Sequence, residues 1–549
     1  MKHNASRLLT IYDCRISFIA PVIYLVAMTL VIGKLDISLY LKIASAIPLT
    51  VFGILTLPGF GDRLSNQTRM AVMVVGLCGI AAVLCYRLNN LWIDHHGFNG
   101  AVWSIFARVI DRHGFLNTQG CCYWTGGSQF VPSATVYDHH PPGLAWILAL
   151  AFKLCGVHEA TARAIPVIFS LLGVVSLTTL LTKRMGVHSG AAILPVLLAS
   201  PGFAYFGRMV NFEPIVIGLA LTFYSWLLLQ PAGRWAIFGL VLIVLVAPLM
   251  GWVGTPFAIG AAFVLAKRRF GWGSLSSLAF VLLPLTVFAF CVLYNANWGR
   301  DLPRALNQAG AWSSFLHAGI ADYSASEWLR HVAKNATVLM PWPLWILVAL
   351  LPLGGLPRTD ALVLLGTLVP FVMMVPLLSH AVYIHDYHML FWWPAAAVSF
   401  ACLIAKYRMP VVALAFSLLL LYPVAMGLRT TQAMHAKGNY ALHQARIGIR
   451  LNAISSPEAT VAVINTAGDP APILGYYLDR HYQIFSRLDL ATAAPGWDYY
   501  CFLHEFRGLS DTDLEFINKY LTAVTDTYVP TFTSKEQARK RGKQNGDWR

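Results

Sequence analysis

Apolar runs of about 17–22 residues, the length needed to cross the hydrocarbon core of a bilayer, recur along this 549-residue chain with short polar breaks between them. They predict thirteen membrane-spanning helices, near 17–33, 38–58, 70–87, 160–181, 190–207, 214–230, 235–251, 252–266, 274–294, 337–354, 361–379, 389–405 and 409–427. The longest polar interruption, 88–159, holds two further stretches that are expected to lie at the membrane interface rather than cross it. Gly143–Cys155 is apolar but too short for a crossing. Gly97–Asp111 places Trp103, Phe106 and Ile110 on one face, with Arg108 and Arg112 near its end. After Gly427 the pattern changes. Strand-like Ala459–Asn465 and Tyr499–Leu503 alternate with helix-like Ala441–Ile454 and Leu509–Tyr520, which predicts a small α/β domain over 428–534. The basic stretch 535–549 is expected to be a disordered tail. The fold class is therefore a multi-span α-helical membrane protein, residues 1–427, followed by this domain.

Composition agrees. The chain is 57% hydrophobic and only 12% charged, about half the charge of a typical soluble domain. Its formal charge of +15 would suit a nucleic-acid partner if the cations formed one stripe. Instead they fall in short loops: Lys2, Arg7 and Arg15; Arg63 and Arg69; Lys183 and Arg184; Arg234; Lys267, Arg268 and Arg269; Arg358; Lys406 and Arg408. That is the distribution the positive-inside rule describes, and nucleic acid is set aside. With these loops cytoplasmic, the N-terminus is cytoplasmic too. Residues 88–159, 208–213, 295–336, 380–388 and everything after Gly427 are then external. No small-residue cleavage site separates the first apolar run from the second, so the first span is expected to stay uncleaved. Six of the nine cysteines lie in or beside apolar runs, while Cys121, Cys122 and Cys501 fall in external segments where a disulfide is feasible.

Charge and topology together single out the polar clusters, because ionisable groups at a membrane boundary are costly and usually functional. The first is Trp92-Ile-Asp-His-His-Gly-Phe-Asn-Gly100. Asp94 suits a general base taking a proton from a hydroxyl nucleophile; it equally suits an N-cap for the helix that follows. His95 and His96 stand beside it as candidate substrate contacts, with Arg108 further along. The second is Gly207-Arg-Met-Val-Asn-Phe-Glu-Pro214, where Arg208, Asn211 and Glu213 form a polar knot between two spans. Glu213 fits either a catalytic acid or a helix cap beside Pro214. The third, Asp138-His-His-Pro-Pro142, offers His139 and His140 on a backbone stiffened by prolines. The fourth is His385-Asp386-Tyr387-His388. Histidines and acids in this number invite a divalent metal, although no segment shows a spaced ligand pair. The alternative is that histidine and arginine bind an anionic phosphate. Tyr476-Tyr-Leu-Asp-Arg480 is read as packing plus a surface ion pair. All these clusters are expected on the external side.

At these residues the chain resembles the GT-C class of bacterial membrane glycosyltransferases, in particular the protein O-mannosyltransferase and lipid A aminoarabinose transferase superfamily. The family hallmark is an acid opening a juxtamembrane helix in the first large external loop, followed by a basic residue, Pro-Pro and Trp. Here these are Asp94 and His139-His-Pro-Pro-Gly-Leu-Ala-Trp146. Phe-Lys-Leu-x-Gly-Val-x-Glu-x-x-x-Arg is matched by Phe152–Arg163, and an Arg followed by an acid and Pro is matched by Arg208–Pro214. His-Asp-Tyr is matched by His385–Tyr387, and Tyr-Tyr-x-Asp-Arg by Tyr476–Arg480. The chain departs in having His95 where relatives often carry a second acid, and Glu213 where many carry Asp.

The resemblance implies transfer of a sugar from a polyprenyl-phosphate donor to an acceptor hydroxyl on a lipid, glycan or protein at the external face. It implies inversion with Asp94 as base, and a bacterial inner-membrane location. Arg208, His139, His140 and His385 are then the candidates for the phosphate, with Asp386 and Tyr387 beside them. The rival readings are a transporter or flippase of lipid-linked sugars, whose polar residues would line a path through the membrane, and a non-catalytic binder. No inverted repeat of the kind many transporters show is visible.

Overall fold

The computed structural model describes residues 19–57, 63–128, 130–131, 136–137, 140–229, 234–270, 275–299, 324–350, 385–407, 410–436, 438–465, 471–486, 497–503, 521–523 and 531–534. The expected span 361–379, the expected helix Leu509–Tyr520, the tail 535–549 and His139 lie outside them. The chain divides into two compact units. One comprises 1–88, 138–144 and 163–435; the other comprises 89–137, 145–162 and 436–549.

The first unit is helical. Among the described residues, six helices are long and apolar enough to cross a bilayer: Leu39–Thr56, Asn66–Leu84, Glu159–Met185, Phe212–Leu229, Asp386–Lys406 and Leu414–Met434. Two bent pairs raise the number to eight. Four more of the expected spans appear as shorter apolar helices: Ile19–Lys34, Arg234–Met250, Gly254–Ala266 and Leu282–Tyr294. The protein is thus a multi-pass membrane protein.

Two expected spans are not straight. The run expected as 190–207 breaks into Val187–Ala199 and Pro201–Arg208, bent by 83°. The run expected as 337–354 is Ser326–Leu339 followed by Trp342–Ala349, bent by 97°. The cause is the same in both. Pro201 and Pro341 exclude the helical conformation from the residue before them: Ser200 is extended at φ −102°, ψ 101° and Met340 at φ −141°, ψ 92°. The Ser200 hydroxyl then accepts the Phe203 N–H and starts the next turn.

Between helices, glycines allow close approach, the usual device where lipid gives no hydrophobic drive to pack. Gly79 faces Ala44 and Pro48, Gly427 faces the Leu198 and Ala199 carbonyls, and Gly173 faces Gly218.

The second unit carries a five-stranded mixed sheet. Its strands are β1 (Thr460–Ile464), β2 (His481–Phe485), β3 (Tyr499–Phe502), β4 (Leu521–Ala523) and β5 (Thr531–Ser534), in the order β2-β1-β3-β5-β4. β1 runs parallel to β2 and β3, while β5 is antiparallel to β3 and β4. Val461 and Val463 of β1, with Tyr499 and Cys501 of β3, pack on Ile447 and Leu451 of helix Asn439–Ile454 and on Leu474 and Leu478 of helix Pro472–Leu478. Among the described residues no disulfide joins Cys121, Cys122 and Cys501, which are buried.

Helix Gly97–His113 is largely buried. Trp103, Phe106 and Ile110 are buried, and so is Arg108 further along. Helix Gly143–Cys155 does leave Leu150 and Leu154 exposed, one turn apart.

Candidate active site

In the second unit, the segment before helix Gly97–His113 makes a tight corner. His96, not Asp94, occupies the N-cap position, in the left-handed region at φ 56° and with no side-chain cap bond. The Asp94 carbonyl accepts the Gly97 N–H at 2.9 Å. A Cβ on Gly97 would sit 2.6 Å from the Trp92 carbonyl carbon and 3.1 Å from Asp94 Oδ1, so the corner closes only around glycine. The N-cap position thus falls two residues after Asp94, whose side chain is partly exposed at the corner. The His95 and His96 rings lie 4.2 Å apart, a pair of imidazoles of the kind that ligate divalent metals or contact anions.

Arg108 is engaged within the same unit. Its guanidinium donates to the Tyr476 carbonyl at 2.7 Å and lies 3.3 Å from Asp479 Oδ1. Arg112 clasps the same carboxylate in bidentate fashion, at 2.9 and 2.7 Å, and also donates to the Gly127 carbonyl at 2.6 Å. Burial opposes ionisation of Asp479, but the two arginines outweigh it and hold the carboxyl below its usual range. The ion pair expected on the surface within Tyr476–Arg480 is thus a largely buried tie to helix Gly97–His113. Arg480 is spent elsewhere, donating to the Asn452 and Ser455 carbonyls at the end of helix Asn439–Ile454.

The first unit gathers the other candidates. Glu213 lies in the first turn of helix Phe212–Leu229, fully buried, and its carboxylate oxygens meet no hydrogen-bond partner among the described residues. A buried carboxyl in that position is costly, which makes it a functional candidate. Asn211 is buried just before it, and the His140 ring lies 4.7 Å from Phe212. The 3-10 turn Asp386–Trp392 packs against helix Phe212–Leu229 and against the turn Phe206–Arg208. His385 stacks on Tyr387 at 4.8 Å, and Tyr387 meets Phe206 at 6.1 Å.

Arg208 is buried and donates to the Tyr86 carbonyl. Around it the structure adds residues that sequence reasoning left unassigned. Arg163 donates to the Leu88 carbonyl at 2.8 Å, and Arg87 donates to the His435 carbonyl at 3.3 Å. The His435 ring contacts both Tyr86 and Tyr205 at 4.9 Å. Burial above all, and then the charges of Arg208, Arg163 and Arg87, hold the His435 imidazole far below its ordinary range. Arg163 closes the Phe152–Arg163 motif and was visible there. His435 follows an apolar run with no local signal.

No family model and no curated protein matches the chain. Solved structures do, and they show a shared fold. The chain is similar to ArnT, the lipid A aminoarabinose transferase, from Cupriavidus metallidurans bound to undecaprenyl phosphate. The TM-score is 0.53 at 13% identity, covering 84% of this chain and 97% of that one. Apo ArnT from the same organism gives 0.42 at 14% identity, over 85% and 98% of the two chains. The Archaeoglobus fulgidus oligosaccharyltransferase in complex with Zn and sulfate gives 0.44 at 12%, over 81% and 71%.

Proposed function

We propose that this protein is a membrane glycosyltransferase that moves a sugar from a polyprenyl-phosphate donor to an acceptor hydroxyl at the external face of a bacterial inner membrane. The observation that carries the reading is the fold shared over almost the full length of a transferase seen with undecaprenyl phosphate. The ordered motifs from Asp94 to Arg480 supply the residue roles.

In this reading Asp94 takes the proton from the acceptor hydroxyl. The acceptor oxygen attacks the anomeric carbon, and the bond from that carbon to the phosphate oxygen breaks with its electron pair leaving on polyprenyl phosphate. One displacement inverts the anomeric configuration. Charge grows on the departing phosphate, so fixed cations and hydrogen-bond donors lower the barrier. Arg208, His139, His140 and His385 are assigned to that task, and Arg163 and Arg87 add to the positive field around Arg208. Glu213 is assigned as the second catalytic acid. Asn211, His95, His96, Asp386 and Tyr387 are assigned to substrate contacts. Arg108 is withdrawn from that group, because its guanidinium is already committed to Tyr476 and Asp479.

The His95–His96 pair also suits a divalent cation, which would supply Lewis-acid charge at the phosphate. Chelation followed by readdition of Zn²⁺ or Mn²⁺ reads this directly.

The test of the function is sugar release from a panel of polyprenyl-phosphate sugars by the purified protein, with lipid, glycan and peptide acceptors supplied. Turnover of one donor, with inverted product by NMR, is expected. Donor binding without turnover of any member would favour the transporter or binder instead.

A further inference from the structure

We infer that Tyr477 is a positioning residue for Asp94, and that the segment after 436 is therefore part of the transfer machinery. The inference rests on the base role given to Asp94 above, and every contact it uses lies within the second unit.

The two residues immediately before Asp94 are held by their backbones. The Trp92 N–H donates to the Tyr477 hydroxyl at 2.8 Å. That hydroxyl in turn donates to Glu159 Oε1 at 2.7 Å. One residue on, the Ile93 carbonyl accepts the Gly438 N–H at 2.8 Å. Two main-chain bonds to 92–93 thus come from beyond residue 436. The Trp92 side chain, 2% exposed, meets Tyr476 edge to face at 6.0 Å, and a Cβ on Gly100 would overlap its indole. Helix Pro472–Leu478, which carries Tyr477, is itself fixed to helix Gly97–His113 through Arg108 and the Tyr476 carbonyl.

The phenol is well suited to this post. It must accept from Trp92 and donate to Glu159 at once, which only the protonated hydroxyl can do. Burial, and next the Glu159 carboxylate, push its ionisation up, so the donor proton is retained. A base loop pinned by backbone bonds at the two residues before Asp94 has little room to drift, and misplacement of a reacting group by about 1 Å can cost about 10²-fold in rate.

Tyr477→Phe deletes both hydroxyl bonds while keeping the ring against Tyr476. The expected result is a fall of about 10- to 100-fold in kcat with donor KM within about twofold, and a shifted acid limb of the kcat–pH profile. Because the effect acts through Asp94, adding Tyr477→Phe to Asp94→Asn should change the residual rate little. Gly438→Pro is the second variant. It removes the N–H on Ile93 at a residue whose φ of −73° proline adopts, and it should also lower kcat. Either variant that melts like wild type and keeps wild-type kcat and pH profile overturns the inference. So does a loss carried entirely by KM or by thermal stability. A wild-type rate in Asp94→Asn would sink the base assignment instead, so the two failures are told apart.

Discussion

Asp479 shows how much one residue can carry. Its carboxylate meets Arg108 at 3.3 Å and Arg112 at 2.7 Å, with the Asp479 side chain 23% exposed. Removing one partner of a largely buried pair leaves the other charges uncompensated, so Asp479→Asn is expected to destabilise the second unit by about 3 kcal/mol. The pH dependence follows from the depressed carboxyl. The stabilisation is fully present above the unfolded value near ~4 and is lost as pH falls through the lower folded value. Thermal melting in detergent from pH 7 to pH 3 checks this: the gap between wild type and Asp479→Asn should be constant at neutral pH and narrow below about pH 4. A gap that grows as pH falls would contradict the ion-pair account. Sequence gave the members of the Tyr-Tyr-x-Asp-Arg run but not their partners, because Arg108 and Asp479 are 371 residues apart and nothing local to either announces the other.

Among elements, the strongest periodic signals were legible. Helix 97–111 is found at Gly97–His113, helix 143–155 at the same bounds, and the strand-like runs 459–465 and 499–503 hold β1 and β3. The bends at Ser200-Pro201 and Met340-Pro341 were not read, because hydropathy alone continues through a proline whereas the backbone does not. β2 was missed for another reason: in His481–Phe485 only Tyr482 and Phe485 are buried, three apart, which obscures the alternation of a strand. Helix contacts invite a direct test. A Cβ on Gly218 would overlap the Phe169 carbonyl of the helix Glu159–Met185. Gly218→Val is therefore expected to cost about 2–3 kcal/mol by forcing these helices apart. A melting temperature equal to wild type would contradict that packing.

At the scale of the whole molecule, membrane character was fixed by apolar run length and the low charge fraction, both of which are summed properties that survive local errors. The candidate site was legible as a set of clusters, since each polar run interrupts apolar sequence. The role of each member was less so: Arg108 looked like a substrate contact yet serves as a tie, and Tyr477 looked like packing yet holds the backbone beside Asp94. The central claim is that Asp94 removes the acceptor proton during transfer from a polyprenyl-phosphate sugar. The most direct measurement is kcat for wild type and Asp94→Asn at saturating donor, with donor affinity measured on the same preparations. The account predicts a fall of about 10²–10⁴ in kcat with donor affinity unchanged. Near-normal turnover by Asp94→Asn would contradict it.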